Sequence, residues 1–516
     1  MPEPETRYKL LVASIFLIFG ALCITSLHLR ELWTDEGYRL MIMDGGRTWS
    51  QQMAATDVAG PREVLLAVGP ELYQPLFYLF GNLLFHLLGG VSVTALRVAN
   101  TAFLLFGLWG LLRLSRPWPP FARIILLFLF AGSGSIFMHV MQVREYPLYI
   151  ALSIWSVAFY FQLFNAPPSS WRPLVAPWAG YVITGILGYY THTFFLFVLL
   201  AQCLFIPFRS HHRKAFALKI LSALVIVAVA ALPWLLFLDA HFPYRANSTW
   251  TTPTGPRQLL PFLNSLRIGF RMLLTYFDSR PRFTPLIGAM AKFLDTWAIL
   301  YSFIFLAAIT HLAKQRRNAD PLALFGALSV LIFFVFQLGW YFMRDDLVVF
   351  PRYFIGYFLG LTILAAYGFY HLYTVTRSTR TPFLLLRGFM ALTVISVGVQ
   401  LWQFRIHPYA DTSITPKCGW LEISTKLSAR VHAGDGIIYY HPLQAWTFSE
   451  VFRTPVVEAN TWAAAEGRLP ATPTIWALDT FVEQPLWRKT HNALLAAGYR
   501  QSDQEKLGCL AVLTHY

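Results

Sequence analysis

Charge is scarce in this chain. Only 13% of its 516 residues are Asp, Glu, Lys or Arg, and 56% are hydrophobic. Soluble domains carry about 25% charged residues. That balance excludes an ordinary soluble enzyme and describes a polytopic membrane protein. Cysteine is scarce too, at four residues. Cys23 and Cys203 fall in apolar segments, where a thiol packs as a small hydrophobe. Cys418 and Cys509 fall in a polar C-terminal stretch and are expected to pair if that stretch faces an oxidising compartment. There is no P-loop, no Gly-rich dinucleotide motif, no Cys/His spacing of the metal-binding kind, no internal repeat and no low-complexity tract. Acidic residues are the minority charge, 26 against 41 basic, for a formal net charge of +15. The excess does not imply nucleic acid as a partner. The basic residues mostly sit in short loops between apolar runs, which is the positive-inside pattern of membrane proteins.

What is present is a series of long apolar runs. Aromatic residues make up 16% of the chain, with 17 Trp, as interfacial belts require. The first run, Leu10 to Leu27, is long enough to span and lacks a clear small-residue cleavage site, so it is expected to act as anchor and targeting signal. A span needs roughly 20 apolar residues. Runs near 10–28, 94–112, 121–140, 147–165, 175–191, 193–208, 217–238, 293–312, 321–342, 353–373 and 383–402 qualify. The shorter run Pro75 to Gly90 contains Asn82 and His86. If it does not cross, the loops with Arg113/Arg116, Arg172, Arg209/Arg213/Lys214, Lys314/Arg316/Arg317 and Arg377/Arg380 all share the cytoplasmic side with Arg7 and Lys9. If it crosses, all of them fall outside. The 75–90 run is therefore read as an interfacial or re-entrant helix, leaving about 11 spanning helices.

This topology predicts an all-α polytopic membrane domain over 1–404, with its N-terminus cytoplasmic. A small extracytoplasmic α/β domain follows over 405–516. Strand-like runs at 436–440, 474–478 and 509–513 carry that second expectation. The outer side receives a first loop (28–93), a turn at Gln142–Tyr146, a long loop (239–291) and a turn running to Arg352. A multi-pass plasma (inner) membrane location follows.

Two features of the outer side suggest chemistry. The first is Trp33-Thr34-Asp35-Glu36-Gly37-Tyr38-Arg39, where adjacent carboxylates meet the membrane surface. Charges cost about 2.5–3.5 kcal/mol each at a bilayer centre on insertion scales, so they are confined to interfaces or put to use. A carboxylate there can take a proton from a water-soluble acceptor; the plainer alternative is that the pair caps the next helix. The second is outward arginine on the side the charge rule disfavours. Arg144 and Arg352 sit in tight turns, and Arg271 in the long loop. Guanidinium is the preferred bidentate partner of phosphate; interfacial snorkelling is the alternative.

In order and topology these motifs resemble the GT-C class of membrane glycosyltransferases. The resemblance is closest to the branch holding the protein O-mannosyltransferases and the bacterial aminoarabinose transferase that modifies lipid A. It covers roughly residues 10–375. The first-loop acidic motif matches at Asp35-Glu36, and the His-Pro-Pro-Leu-Tyr kind of motif at Leu72-Tyr73-Gln74-Pro75-Leu76-Phe77-Tyr78. Arg97 matches an Arg opening a span. Gln142-Val143-Arg144-Glu145-Tyr146, Tyr190-Thr191-His192 and Arg352-Tyr353 match the later motifs. Gln74 replaces the usual His, Pro or phosphate-contacting Lys, and Glu145 stands next to Arg144 rather than at the usual spacing.

The resemblance implies an inverting transfer of a sugar from a polyprenyl-phosphate donor to a glycan, lipid or protein acceptor on the outer face. Asp35 and Glu36 would be the catalytic carboxylates. Arg352, Arg144, Arg271 and Arg97 would bind the donor phosphate. Glu71, Tyr73, Gln74, Tyr146, His192 and Tyr353 would line the substrate pocket. No cofactor is obligatory; a divalent metal held by Asp35, Glu71 and His192 stays open, although their spacing carries no metal signature. The other readings are a transporter or flippase of a lipid-linked anion and a non-catalytic assembly subunit. Transporters tend to show related halves and mid-span charge. Here the charges gather at one face.

Overall fold

The computed structural model describes residues 4–27, 34–47, 57–69, 73–166, 174–208, 213–242, 302–315, 319–343, 355–376, 384, 387–396 and 398–399. In the C-terminal part it describes 430–432, 434–439, 457–460, 464, 469, 471–479, 484–507 and 511–516. Cys418 and Cys509, expected to pair, lie outside the described residues, as do 243–301, which hold most of the loop expected on the outer side.

The first part is helical. In chain order the helices are α1 (Pro4–Ser26), α2 (Thr34–Met43), α3 (Pro61–Val68), α4 (Leu76–Leu88), α5 (Val93–Leu114), α6 (Pro120–Ala131), α7 (Gly134–Met141), α8 (Tyr146–Asn165), α9 (Val175–Thr191), α10 (Phe195–Phe205) and α11 (Arg213–His241). Then follow α12 (302–315), α13 (Pro321–Met343), α14 (Ile355–Thr376) and α15 (Arg387–Ser396). Among the described residues, six helices are long and apolar enough to cross a membrane: α1, α5, α8, α11, α13 and α14. The protein is a multi-pass membrane protein.

The expected count of 11 spans is not reached among the described residues. The run 121–140 is broken into α6 and α7, which meet at a 47° bend, and the pair adds at most a seventh span. Helix α9 has 17 residues, at the short end of the spanning range, and α10 has 11. The run Pro75–Gly90 forms a 13-residue helix, about 20 Å long, well short of the roughly 30 Å hydrocarbon core. It ends at Gly89, whose φ of 71° is the left-handed cap that glycine adopts without strain.

The polar residues of α4 have a structural task. Asn82 donates from Nδ2 to the backbone carbonyls of Met43 at 2.9 Å and Ala59 at 2.8 Å. His86, one turn on, donates from Nε2 to the same Ala59 carbonyl at 3.0 Å. They tie α4 to the end of α2 and the start of α3. A small core of Leu40, Val64, Val68, Phe77, Phe85 and Leu96 fills the space between these helices, and Val143 and Trp234 close it against the bundle. Asn82→Leu is expected to cost about 1–3 kcal/mol, because buried carbonyls lose their donor. The thermal midpoint of the detergent-solubilised protein should drop; an unchanged midpoint would show that the tie is dispensable.

The bundle core runs through α5, α8 and α14. Helices α5 and α8 approach closely because α5 presents Gly107 and Gly110. A Cβ on Gly110 would lie 2.9 Å from Ile154 Cγ2. In lipid, where no hydrophobic force pulls helices together, such small-residue contacts supply the packing. Helix starts are marked by local chemistry. Ser92 accepts a bond from the Ala95 amide of α5, and Asp320 Oδ1 accepts one from the Ala323 amide of α13.

The C-terminal part holds a five-stranded sheet in the order β2-β1-β3-β5-β4. The strands are β1 (Gly436–Tyr439), β2 (Val457–Asn460), β3 (Ile475–Asp479), β4 (Asp503–Leu507) and β5 (Ala511–His515), and α16 (Gln484–Ala496) connects β3 to β4. β1 is parallel to β2 and β3, whereas β5 is antiparallel to β3 and β4. The three strand-like runs read from the sequence are β1, β3 and β5. Their core is Ile438, Ile475, Ala477 and Leu494 of α16. Strands β2 and β4 had no alternating apolar signal: β4 reads Asp503-Gln504-Glu505-Lys506-Leu507, an edge strand protected by charge.

Candidate functional site

The turn between α7 and α8 gathers groups from four distant segments. Helix α7 ends at Met141, and α8 restarts at Tyr146 with Pro147 in its first turn, where a missing amide costs nothing. The four residues between are buried. Asn100 of α5 donates to the Gln142 carbonyl at 2.6 Å, and the His139 ring meets the Gln142 side chain at 3.1 Å. Glu36 of α2 is fully buried, and its Oε1 accepts the Val143 amide at 2.6 Å. Helix α2 is thus fastened to this turn by the second carboxylate of the Asp-Glu motif.

Glu145 stands at the N-terminus of α8, where the helix dipole favours an anion. Arg39 reaches it from α2 with two donors, Nε to Oε2 at 3.1 Å and Nη2 to Oε1 at 3.3 Å. Both side chains are nearly solvent-free, 5% and 7% exposed. On the helix, Arg39 lies three residues after Glu36, so one face of α2 presents an anion to the turn and a cation to Glu145. The Arg39 guanidinium also lies over the Tyr73 ring, 5.2 Å from its centre, and Tyr73 stacks on Tyr78 at 5.9 Å.

His192 closes the cluster where α9 ends. Its Nδ1 accepts the Phe194 amide at 3.0 Å. In the neutral ring the hydrogen is therefore on Nε2, which lies 4.0 Å from Glu145 Oε1. Tyr146 and Tyr149 flank the ring, with centres at 5.5 and 5.4 Å. Burial lowers the His192 pKa against the pull of Glu145, with Arg39 adding to the fall, to about 4. Burial raises Glu145, but the charge and hydrogen bonds of Arg39 outweigh it and hold the carboxyl at about 2. At neutral pH the pair is Arg39⁺–Glu145⁻ beside an uncharged imidazole.

The sign of the acid response follows. Folded His192 titrates below the ordinary value near 6.5, so between pH 6.5 and about 4 the unfolded chain binds a proton that the folded one refuses. Stability should be lost as the pH is lowered through that window, by at most about 1.4 kcal/mol per pH unit for this one group. Thermal midpoints in detergent, taken from pH 7.5 to 4.5, should decline less steeply in His192→Gln than in the unaltered protein. Parallel curves would exclude His192 as the source.

Of the residues singled out in the sequence, the structure brings Glu36, Tyr73, Tyr146, Arg144 and His192 around the Arg39–Glu145 pair. Arg144 is buried with its guanidinium 5.9 Å from the Tyr146 ring centre. Gln74 is buried beside this group, and its Oε1 and the Tyr78 hydroxyl have no hydrogen-bond partner among the described residues. Arg97, one turn before Asn100, donates Nη1 to the Leu27 carbonyl at 2.6 Å, so it also secures the end of α1. Asp35 lies in the first turn of α2, but its side chain is outside the described part, and Glu71, Arg271, Arg352 and Tyr353 lie outside the described residues. Among the described residues, no group of three His, Cys, Asp or Glu could hold a metal ion; two members of the alternative metal set, Asp35 and Glu71, are not among those side chains.

Arg39 and Tyr78 were missed as site residues, and Glu145 was given no role. A signal existed for Arg39. The spacing Glu36-x-x-Arg39 puts both side chains on one face of a helix, and a charged face on a short helix between apolar segments needs partners.

At the level of sequence, no family model matches the chain and no curated protein matches it. The fold is more informative. The chain adopts the fold of solved GT-C glycosyltransferases. ArnT from Cupriavidus metallidurans, in the apo state, superposes with a TM-score of 0.59 at 14% identity, over 99% of this chain and 98% of that one. The same enzyme bound to undecaprenyl phosphate gives 0.56. The oligosaccharyltransferase AglB from Archaeoglobus fulgidus gives 0.54 at 11% identity, over 93% of this chain and 70% of that one. The arabinofuranosyltransferase AftD from Mycobacteria gives 0.50 at 13% identity, over the whole of this chain and 42% of the other.

Proposed function

We propose that this protein is an inverting glycosyltransferase that moves a sugar from a polyprenyl-phosphate donor to a glycan, lipid or protein acceptor on the outer face of the membrane. The observation that carries the reading is the buried cluster at one end of the bundle, where Arg39 pairs with Glu145 beside Arg144 and where Glu36 and Arg97 are buried too. Burying five ionisable side chains at a helix-turn-helix junction is costly unless they are paired and put to use. The binding of undecaprenyl phosphate by ArnT, which has the same fold, supports a lipid-linked donor.

In this reaction an acceptor oxygen or nitrogen attacks the anomeric carbon. The bond from that carbon to the phosphate oxygen breaks, and its electron pair leaves with polyprenyl phosphate. The acceptor proton passes to the Asp35 carboxylate, which the sequence puts at the membrane surface. Arginine side chains from the Arg144 turn and from the outer loops meet the charge that grows on the leaving phosphate. Arg39 is already committed to Glu145, so its task is to hold α2, and with it Asp35, against the turn. The unpartnered Gln74 Oε1 and Tyr78 hydroxyl suit sugar hydroxyls. A crevice between α8, α10, α13 and α14 starts at Tyr149, beside His192, and continues past Ser153, Phe197 and Phe333 into the apolar layer.

The orientation that this reaction needs is open to direct test. A cysteine introduced at exposed Lys489 of α16 should react with a membrane-impermeant maleimide in intact cells. Labelling that appears only after permeabilisation would put the sheet inside and overturn the outer-face site. Purified protein should also release free polyprenyl phosphate from a labelled donor when acceptor is added. Movement of intact donor across vesicles without that release would identify a transporter instead.

A further inference from the structure

A second polar site lies at the far end of the bundle. Helix α5 meets the Glu145 turn at Asn100 and runs on to Leu114, so its other end is about 21 Å away. Just beyond it Trp118 packs near Tyr367 of α14, ring centres 6.3 Å apart, and donates to Asp320 Oδ2 at 3.0 Å. Trp and Tyr at this depth mark the opposite membrane interface. One turn past Tyr367 is His371, and its ring stacks on that of His311 from α12, centres 3.5 Å apart and planes at 24°.

The stacked pair borders a cavity of about 370 Å³. Its α12 wall is a single helical stripe: Phe303, Leu306, Ala307, Thr310, His311 and Lys314. The stripe changes character along its length. Phe303 and Leu306 are apolar and about 60% exposed, toward the bundle centre. Thr310, His311 and Lys314 are polar or basic, toward the interface. No carboxylate lines the cavity among the described residues. The nearby Asp320 is occupied by the Ala323 amide and the Trp118 indole. Among the described residues, the charge balance of the site is thus basic with no internal counter-ion. A metal is a poor match, because near-parallel rings do not aim their nitrogens at a common point.

We propose that this groove binds the phosphate of an anionic phospholipid. His311, His371, Lys314 and Thr310 supply donors to the headgroup, and the exposed Phe303–Leu306 stripe carries the acyl chains. The gradient from apolar to basic matches such a lipid end to end, and a soluble anion would have no use for the apolar half. The site is distinct from the Glu145 cluster and does not depend on its function.

Native mass spectrometry of the full-length protein in detergent, titrated with phosphatidylglycerol or phosphatidylcholine, reads the site directly. The unaltered protein should hold phosphatidylglycerol roughly tenfold more tightly than phosphatidylcholine. The triple variant His311→Gln/His371→Gln/Lys314→Gln should lose that preference while its phosphatidylcholine adducts stay the same. The exposed single variant Lys314→Gln, which removes no packing, should lose about a third to a half of the preference on a logarithmic scale. Equal preference in all three proteins, or no preference in the unaltered one, would overturn the proposal. So would displacement of phosphatidylglycerol by millimolar inorganic phosphate, which would mark a site for a free anion.

Discussion

Asp35→Asn is expected to lower turnover on the order of 10²–10⁴-fold while leaving donor binding nearly intact. Asparagine keeps the size and much of the hydrogen bonding of aspartate but cannot accept a proton at neutral pH. The neighbouring position supplies the contrast. Glu36 Oε1 accepts the Val143 amide at 2.6 Å inside a fully buried site. A glutamine there still presents a carbonyl oxygen, so Glu36→Gln should keep the fastening and lose much less activity than Asp35→Asn. Single-turnover kinetics on labelled donor separate the chemical step from binding. Equal losses at the two positions would mean that the pair acts as a unit, and full activity in Asp35→Asn would remove it from the mechanism.

Arg39→Ala should be the most damaging change to the folded protein. It leaves Glu145 buried without its two-donor partner, and breaking one side of a buried ion pair costs about 3–5 kcal/mol. The thermal midpoint should collapse, and the protein should be recovered in low yield. Removing both charges together, as in Arg39→Met/Glu145→Leu, takes away the stranded anion and should restore most of that stability. Activity should stay low in the double variant, because α2 keeps its Glu36 and Asn82 ties but loses its anchor at the start of α8. Recovery of activity along with stability would show that the pair contributes only to folding. A double variant as unstable as Arg39→Ala would show that Glu145 has a further partner whose loss matters more.

Both expectations rest on an arrangement that was only partly legible in the sequence. Class was legible: long apolar runs and scarce charge determine a membrane protein, because every residue in lipid pays its own transfer cost wherever it sits. The short helix at 76–88 was legible through charge parity, and β1, β3 and β5 through β-rich apolar runs. The resemblance to GT-C enzymes rested on the order of weak motifs, and the fold agrees with it.

The count of spans was not legible in the same way. A window of apolar residues does not reveal that 121–140 bends by 47° between α6 and α7. Nor does it reveal that Asn82 and His86, the apparent flaws in an apolar run, serve the carbonyls of Met43 and Ala59. Those facts depend on which backbone groups another segment leaves exposed.

The sequence by itself determined the membrane class, the helical and strand segments with the strongest local pattern, and the short stretches where charge gathers. Tertiary structure alone decided that Arg39 and Glu145, 106 positions apart, form one buried pair, and that Glu36 holds the Val143 amide. It likewise decided that His311 and His371 stack at the other end. Transfer free energy and helix propensity act residue by residue and can be read along the chain. Ion pairing and ring stacking act across space, and their partners are chosen by how the helices pack.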